Sequence, residues 1–199
     1  MISSRSPLFY YKPEMYFSPL LSRSLRSEDG TRKNLKCCRR PEPQYTEKDV
    51  RIFNRCVEET KPKASMTYTP GDADKEVKKR YVCLLHCCAK HLGMIDAGGY
   101  LIEDKLAQFI KNSSGSSVFY NENKDILEKC GSFANKYSKD HVKLIQYYER
   151  KCNAAIVALY MCVNAFAELN CSDQRQIKSA ECDKYRHNTR MTLEALKLL

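Results

Sequence analysis

Eleven cysteines in a chain of 199 residues constrain the fold more than any other feature of this sequence. They stand at Cys37, Cys38, Cys56, Cys83, Cys87, Cys88, Cys130, Cys152, Cys162, Cys171 and Cys182, outside the C-x-x-C spacing that zinc ribbons and redox motifs use. Abundant cysteine without metal spacing points to disulfides and hence to an oxidising compartment. An odd count leaves at least one thiol over.

The rest of the composition narrows the class. Hydrophobic residues make up 43%, and glycine and proline number 7 each, so the chain is neither disordered nor fibrous and lacks the turn punctuation of an all-β protein. An all-α domain is favoured. The formal charge of +10 is unevenly spread: residues 1–40 hold nine Lys/Arg against three Asp/Glu, which leaves the main domain only mildly basic. A folded nucleic-acid face is therefore not expected. No apolar run approaches the roughly 18 residues of a membrane span.

Residues 1–36, rich in Ser, Arg, Tyr and Pro, lack a sustained period and the continuous apolar core of a secretory signal peptide. They read as a disordered or misassigned leader, an expectation that transcript sequencing across them tests. The tetrad TEKD at 46–49 offers an N-cap with an acid three residues on, and Val50, Phe53 and Val57 follow at helical spacing, so a first helix is expected over about 47–60. A second is expected over about 73–92, stopped by Gly93, with a turn at Ala97–Gly99. Leu101, Leu106, Phe109 and Ile110 space a short third helix, NSSGSS at 112–117 reads as a loop, and a fourth helix covers about 122–137.

A long helix is expected over about 140–169. Steps of about 100° per residue put Cys152, Ile156, Leu159, Val163 and Phe166 in one arc that faces a core or a cavity. After Asn170 the chain restarts with Ser172 as cap and ends in a leucine-rich stripe, tied back by Cys182.

The stretch YVCLLHCCAKHLG at 81–93 is the densest in ligating side chains, and three chemistries compete for it. A zinc site needs four convergent ligands; Cys83, Cys87 and His91 share one face, but His86 lies about 140° from His91 and cannot join them. No metal site is expected. The segment CCAKH also resembles the start of the secreted phospholipase A2 active-site motif, yet Leu92 stands where that family has a metal-binding acid, and no glycine-rich calcium loop precedes it. The third reading makes Cys83 and Cys87 disulfide half-partners on one helix face, each bridging to a different neighbouring helix and so pinning three elements together. Cys88 then points to the apolar face with Tyr81, Leu84, Leu85 and Leu92 and is the candidate for the spare thiol.

Leaving Cys88 aside, the ladder from Cys56 runs with gaps of 26, 3, 42, 21, 9, 8 and 10 residues to Cys182. This ladder resembles the insect odorant-binding proteins, and specifically their Plus-C group: the three-residue gap between Cys83 and Cys87, the eight-residue gap between Cys162 and Cys171, the added Cys152 and Cys182, and the Cys37, Cys38 pair followed by Pro41 carry the resemblance. Ser172 stands where Plus-C members usually have proline. The resemblance implies a compact disulfide-linked bundle of about six to eight short helices around an apolar ligand cavity, with residues 37–182 as the domain and 183–199 as a C-terminal helical extension. It implies Cys56 joined to Cys87, Cys83 to Cys162, and Cys130 or Cys152 to Cys171, while partners for Cys37, Cys38 and Cys182 stay open.

Its functional implication is a secreted carrier of small hydrophobic volatile semiochemicals, with no catalysis and no cofactor. Homodimerisation and delivery to an olfactory receptor are its partner expectations. Apolar helix faces and 13 tyrosines supply material for a mostly apolar pocket with a few orienting polar groups. The candidate lining is Leu106, Phe109, Ile110, Phe133, Tyr137, Ile145, Tyr148, Ile156, Leu159, Val163 and Phe166. His187, beside Tyr185 and Arg186, is the candidate for pH-linked release, tested by the pH profile of a His187→Ala variant. Asn112 opens an N-S-S sequon. The competing readings are a phospholipase-like enzyme using His91 and an intracellular basic adaptor using the N-terminal arm.

Overall fold

Thr46 starts the first helix by a reciprocal cap: its hydroxyl oxygen accepts the Asp49 N–H at 3.2 Å, and the Asp49 carboxylate accepts the Thr46 N–H at 2.9 Å. In the computed structural model, which describes residues 37–39, 46–62, 70–113, 117–141 and 144–199, this helix is α1, Glu47–Glu59. It is followed by α2 (Pro70–His91), α3 (Glu103–Ser113), α4 (Ser117–His141), strands β1 (Ile145–Tyr147) and β2 (Arg150–Cys152), α5 (Ala155–Leu169) and α6 (Ala180–Ala195). Six helices and one two-stranded hairpin thus make up the regular structure among the described residues. The expected leader and the centre of the expected loop at 112–117 lie outside those residues.

The described residues fall into two compact units, one within Pro43–Leu159 and one joining part of Lys12–Glu42 to Tyr160–Leu199. In the first unit, Phe53 and Cys56 of α1 form a buried cluster with Leu84, Cys87 and Cys88 of α2. Gly93 ends α2 as expected. It takes φ +69°, its N–H bonds the Lys90 carbonyl, and the Met94 N–H reaches back to Ala89, the paired bonds of a left-handed helix stop. The chain then turns through Gly99 (φ +81°) and returns by an antiparallel bridge of Ile95 with Leu101. Helices α3 and α4 pack together, Leu106 lying over Gly131, and the Asn135 side chain bonds both the N–H and the carbonyl of Leu101.

The expected single helix over 140–169 is corrected here. Helix α4 extends to His141, and residues 145–152 form an antiparallel hairpin in which Ile145 faces Cys152 and Tyr147 faces Arg150. Both strands pack against α2. The local reason is the alternation of Ile145, Gln146 and Tyr147, half-buried, exposed and buried, which is a strand pattern of β-branched and aromatic residues. The tertiary reason is anchoring: Tyr147 is buried with its hydroxyl donating to the Thr60 carbonyl at 3.4 Å, and Cys152 is bonded to α2. Cys152 therefore does not share a helical arc with Ile156.

In the second unit, residues 37–39 run antiparallel to 175–177, with Cys38 facing Gln176. Ser172 does not cap a helix. It closes a turn whose N–H donors are Arg175 and Gln176, and Ser179 caps α6 instead, its hydroxyl accepting the Cys182 N–H at 3.1 Å. Of the leucine-rich C-terminal end, Leu193 and Leu198 are buried, Leu196 is half-buried and Leu199 is exposed.

Candidate functional site

Helix α2 is the covalent hub of the first unit. Cys87 joins Cys56 of α1 and Cys83 joins Cys152 of β2, with Cα–Cα distances of 5.7 and 5.2 Å. Two half-cystines one turn apart thus tie one helix face to two elements, of which the partner of Cys83 is a strand and not the expected second helix. In the second unit Cys37 joins Cys182 and Cys38 joins Cys171. Cys130 and Cys162 are disulfide-bonded as well, so all ten cysteines expected to be bridged are bridged and the chain has five disulfides.

The Cys56–Cys87 pairing agrees with the expectation, and two other pairings are corrected. Cys83 bonds Cys152 rather than Cys162, because the hairpin carries Cys152 to the α2 surface. Cys171 bonds Cys38 rather than Cys130 or Cys152, because residues 37–39 run alongside 175–177 and bring the two Cα atoms to 5.8 Å. Cys88 is the free thiol, as expected, and is buried. Burial pushes it up to about 12, so at neutral pH it is a protonated small hydrophobe in the α1–α2 cluster.

The two histidines of the stretch have separate surroundings. His86 Nδ1 accepts the Asn153 backbone N–H at 3.2 Å, and burial, helped by the charge of Lys90, holds its pKa below the ordinary histidine value. Asn153 is the polar hub that the sequence reading missed. Its side-chain oxygen accepts the Ala155 N–H at 2.9 Å at the start of α5 and the Ser138 hydroxyl of α4, and its amide donates to the Gly98 carbonyl at 3.1 Å. One buried side chain therefore fixes α4, α5 and the 95–101 turn, while its backbone meets α2. The available signal was an asparagine directly before an apolar helical run, the position of an N-cap.

His91 instead has its Nε2 at 3.6 Å from Glu59 Oε1. Glu59 also takes Arg55 at 3.0 Å and Arg150 at 3.1 Å, and the Arg55 hydrogen bond, with Arg150, holds its carboxyl below the usual carboxylate range. The two sulfurs of the Cys56–Cys87 bridge are bonded to each other and offer no thiolate to a metal in this state.

The structure places nine of the eleven candidate lining residues in the first unit. Leu106 is buried and Phe109 half-buried on α3; the Ile110 side chain lies outside the described residues. Phe133 and Tyr137 stack along α4 with ring centroids 5.5 Å apart, and Tyr137 continues to His141 at 5.2 Å. Ile145 and Tyr148 are half-buried on the hairpin, whereas Ile156 and Leu159 are buried at the start of α5. Packing of α3 on α4 brings Leu106 and Phe109 to the helix that carries Phe133 and Tyr137. Val163 and Phe166 belong to the second unit, half-buried and buried, and His187 is exposed on α6.

No helix among the described residues is long and apolar enough to cross a membrane. Neither a curated protein nor a solved structure matches the chain significantly. The sequence profile of the PBP/GOBP family matches residues 39–165, which takes in most of the first unit, the α2 hub and both of its bridges. The chain belongs to the PBP/GOBP family, the insect odorant-binding proteins, a family of binding and carrier proteins.

Proposed function

We propose that this protein is a secreted, non-catalytic carrier of the Plus-C group that takes a small hydrophobic volatile ligand into an apolar cavity of the helical bundle. The family match over residues 39–165 carries this reading. The Plus-C assignment is supported by the two bridges Cys37–Cys182 and Cys38–Cys171, which use cysteines at both ends of the ladder. Export is supported by the five bridges, since such a density persists only where thiols are oxidised. The cavity lining is drawn from the first unit: Leu106, Phe109 and Ile110 of α3, Phe133 and Tyr137 of α4, Ile145 and Tyr148 of the hairpin, and Ile156 and Leu159 of α5. The tyrosine hydroxyls orient a ligand whose bulk is held by apolar contact.

Disulfides serve this function through stability. A cavity forgoes the dispersion contacts of a filled core, and each native bridge returns roughly 2 to 4 kcal/mol. Displacement of an environment-sensitive apolar dye by volatile aldehydes, alcohols and esters tests the proposal. Competition at one site is expected, weakened about tenfold by Phe133→Ala with the fold retained; absence of any saturable dye binding overturns it.

A further inference from the structure

One disulfide of the first unit sits inside a set of ligating atoms that the carrier function does not use. Sγ of Cys56, Sγ of Cys87 and a ring nitrogen of His91 all lie within 4.8 Å of one another. The Glu59 carboxylate lies beside this group, with Oε1 at 3.6 Å from His91 Nε2 and Oε2 at 3.8 Å from Cys87 Sγ. Cys87 and His91 are one turn apart on α2, and Cys56 and Glu59 are three residues apart on α1, so each helix carries two ligating side chains here, three of them mutually close and Glu59 within reach of two.

We propose that reduction of the Cys56–Cys87 bridge turns this group into a four-ligand site, two thiolates with one imidazole and one carboxylate, for a soft divalent cation such as Zn2+. In the oxidised protein the sulfurs are bonded to each other and cannot both ligate. A tetrahedral site with Zn–S bonds of about 2.3 Å needs them roughly 3.8 Å apart. The Cα atoms, 5.7 Å apart, allow that separation by side-chain rotation once the bond is broken. A thiol reductant supplies two electrons and two protons and is itself oxidised to its disulfide; the S–S bond becomes two thiols. The cation then takes both sulfurs as thiolates, releasing two protons to solvent, with neutral His91 and ionised Glu59 as the remaining ligands.

Charge favours this set. Two thiolates, one carboxylate and a divalent cation sum to one negative charge, and Arg55 and Arg150 already bond the same carboxylate at 3.0 and 3.1 Å. They fix Glu59 in place and offset that charge. Access also fits: the sulfurs are buried, while the His91 and Glu59 side chains are 29% and 28% exposed, so a cation enters from the solvent edge and ends on the thiolates.

The test uses Co2+ alone as a spectroscopic stand-in and Zn2+ as competitor. In the full-length oxidised Cys56→Ser variant the other four bridges stay closed, leaving Cys87, His91 and Glu59. One equivalent of Co2+ is expected, with a thiolate-to-metal charge-transfer band, displaced by Zn2+ and weakened about tenfold or more by adding His91→Ala. The wild-type chain treated with a phosphine reductant should gain the same band and lose it on reoxidation, with the same His91→Ala effect and none from His187→Ala. A band that His91→Ala leaves unchanged in both formats reports loose thiols and overturns the proposal, as does absence of the band. The wild-type arm stands even where Cys56→Ser loses its helical circular dichroism, and neither arm depends on a bound volatile ligand.

Discussion

The Asn153 backbone N–H donates to His86 Nδ1 across 3.2 Å, joining the segment just before α5 to the C-terminal half of α2. A protonated imidazole has no acceptor at Nδ1, so this bond exists only while His86 is neutral. Burial and then the nearby Lys90 favour that neutral form, placing the folded-state pKa below the ordinary value of 6.5. The sign follows: with the folded value below the unfolded one, the unfolded chain binds the proton more readily. The stabilisation is fully present above the unfolded value and is lost as pH falls through the folded one. Melting temperature should therefore drop between about pH 7 and pH 5. A His86→Gln variant should show a shallower fall; an identical slope in both proteins would place the effect elsewhere.

Gly99 and Gly131 should respond to alanine with opposite signs. A Cβ at Gly99 would stand 2.6 Å from both Asn153 Cβ and His86 Cε1, and its φ of +81° is one that L residues rarely adopt. Gly99→Ala is expected to destabilise the protein by about 2 kcal/mol or more, by strain and by displacing His86 from Asn153. Gly131 lies inside α4, and its nearest neighbour to an added Cβ is Leu106 Cδ2 at 3.9 Å, ordinary contact. Gly131→Ala should stabilise by roughly 0.5 to 1 kcal/mol. Chemical denaturation of the two variants measures both.

Thiol counting checks the cysteine assignment. Cys88 is the free cysteine, buried and with its thiol raised to about 12, so almost no thiolate is present at neutral pH. A thiol-specific reagent should label no site in the native protein and one site per chain in denaturant without reductant. Two or more labelled sites would contradict the five bridges.

The C-terminal end of α6 carries a strained residue. Lys197 takes φ +56°, with its N–H on the Glu194 carbonyl at 2.9 Å and the Leu198 N–H on Leu193 at 2.9 Å, the same stop that Gly93 makes for α2. Lys197→Gly should raise stability by about 0.5 to 1 kcal/mol, since glycine removes the Cβ penalty of that conformation. Thermal melts of the two proteins check it. An unchanged or lower melting temperature would mean that lysine is not strained at this position.

Local signals in the sequence were accurate where one short segment decides the outcome. The Thr46 capping box, the Gly93 stop and the turn at Gly99 each depend on a few consecutive residues, and each stands where its chemistry placed it. The 145–152 segment was not legible in the same way. Ile145 and Tyr147 fit a strand, but helical periodicity resumes at Ile156, and an uninterrupted helix absorbed the hairpin. What decides the hairpin is remote: Thr60 accepting the Tyr147 hydroxyl and Cys83 bonding Cys152. The candidate site divides likewise. That Cys83 and Cys87 are half-cystines on one face of α2 was readable from helical spacing, but the partner of Cys83 was not, and the hub role of Asn153 depends on bonds to Gly98, Ser138 and His86, which lie between 15 and 67 residues away.

The order of residues was enough to specify an all-α chain, the family to which its cysteine ladder belongs, the set of ten bridged cysteines and the one spare. Which cysteine meets which was decided in three dimensions. A disulfide requires two Cα atoms within about 7 Å with converging Cβ vectors. Cys83 and Cys152, 69 residues apart, meet at 5.2 Å because a hairpin lies on α2, and Cys38 and Cys171, 133 apart, meet at 5.8 Å because two extended segments pair. Spacing records intervals along the chain; the bonds form across space.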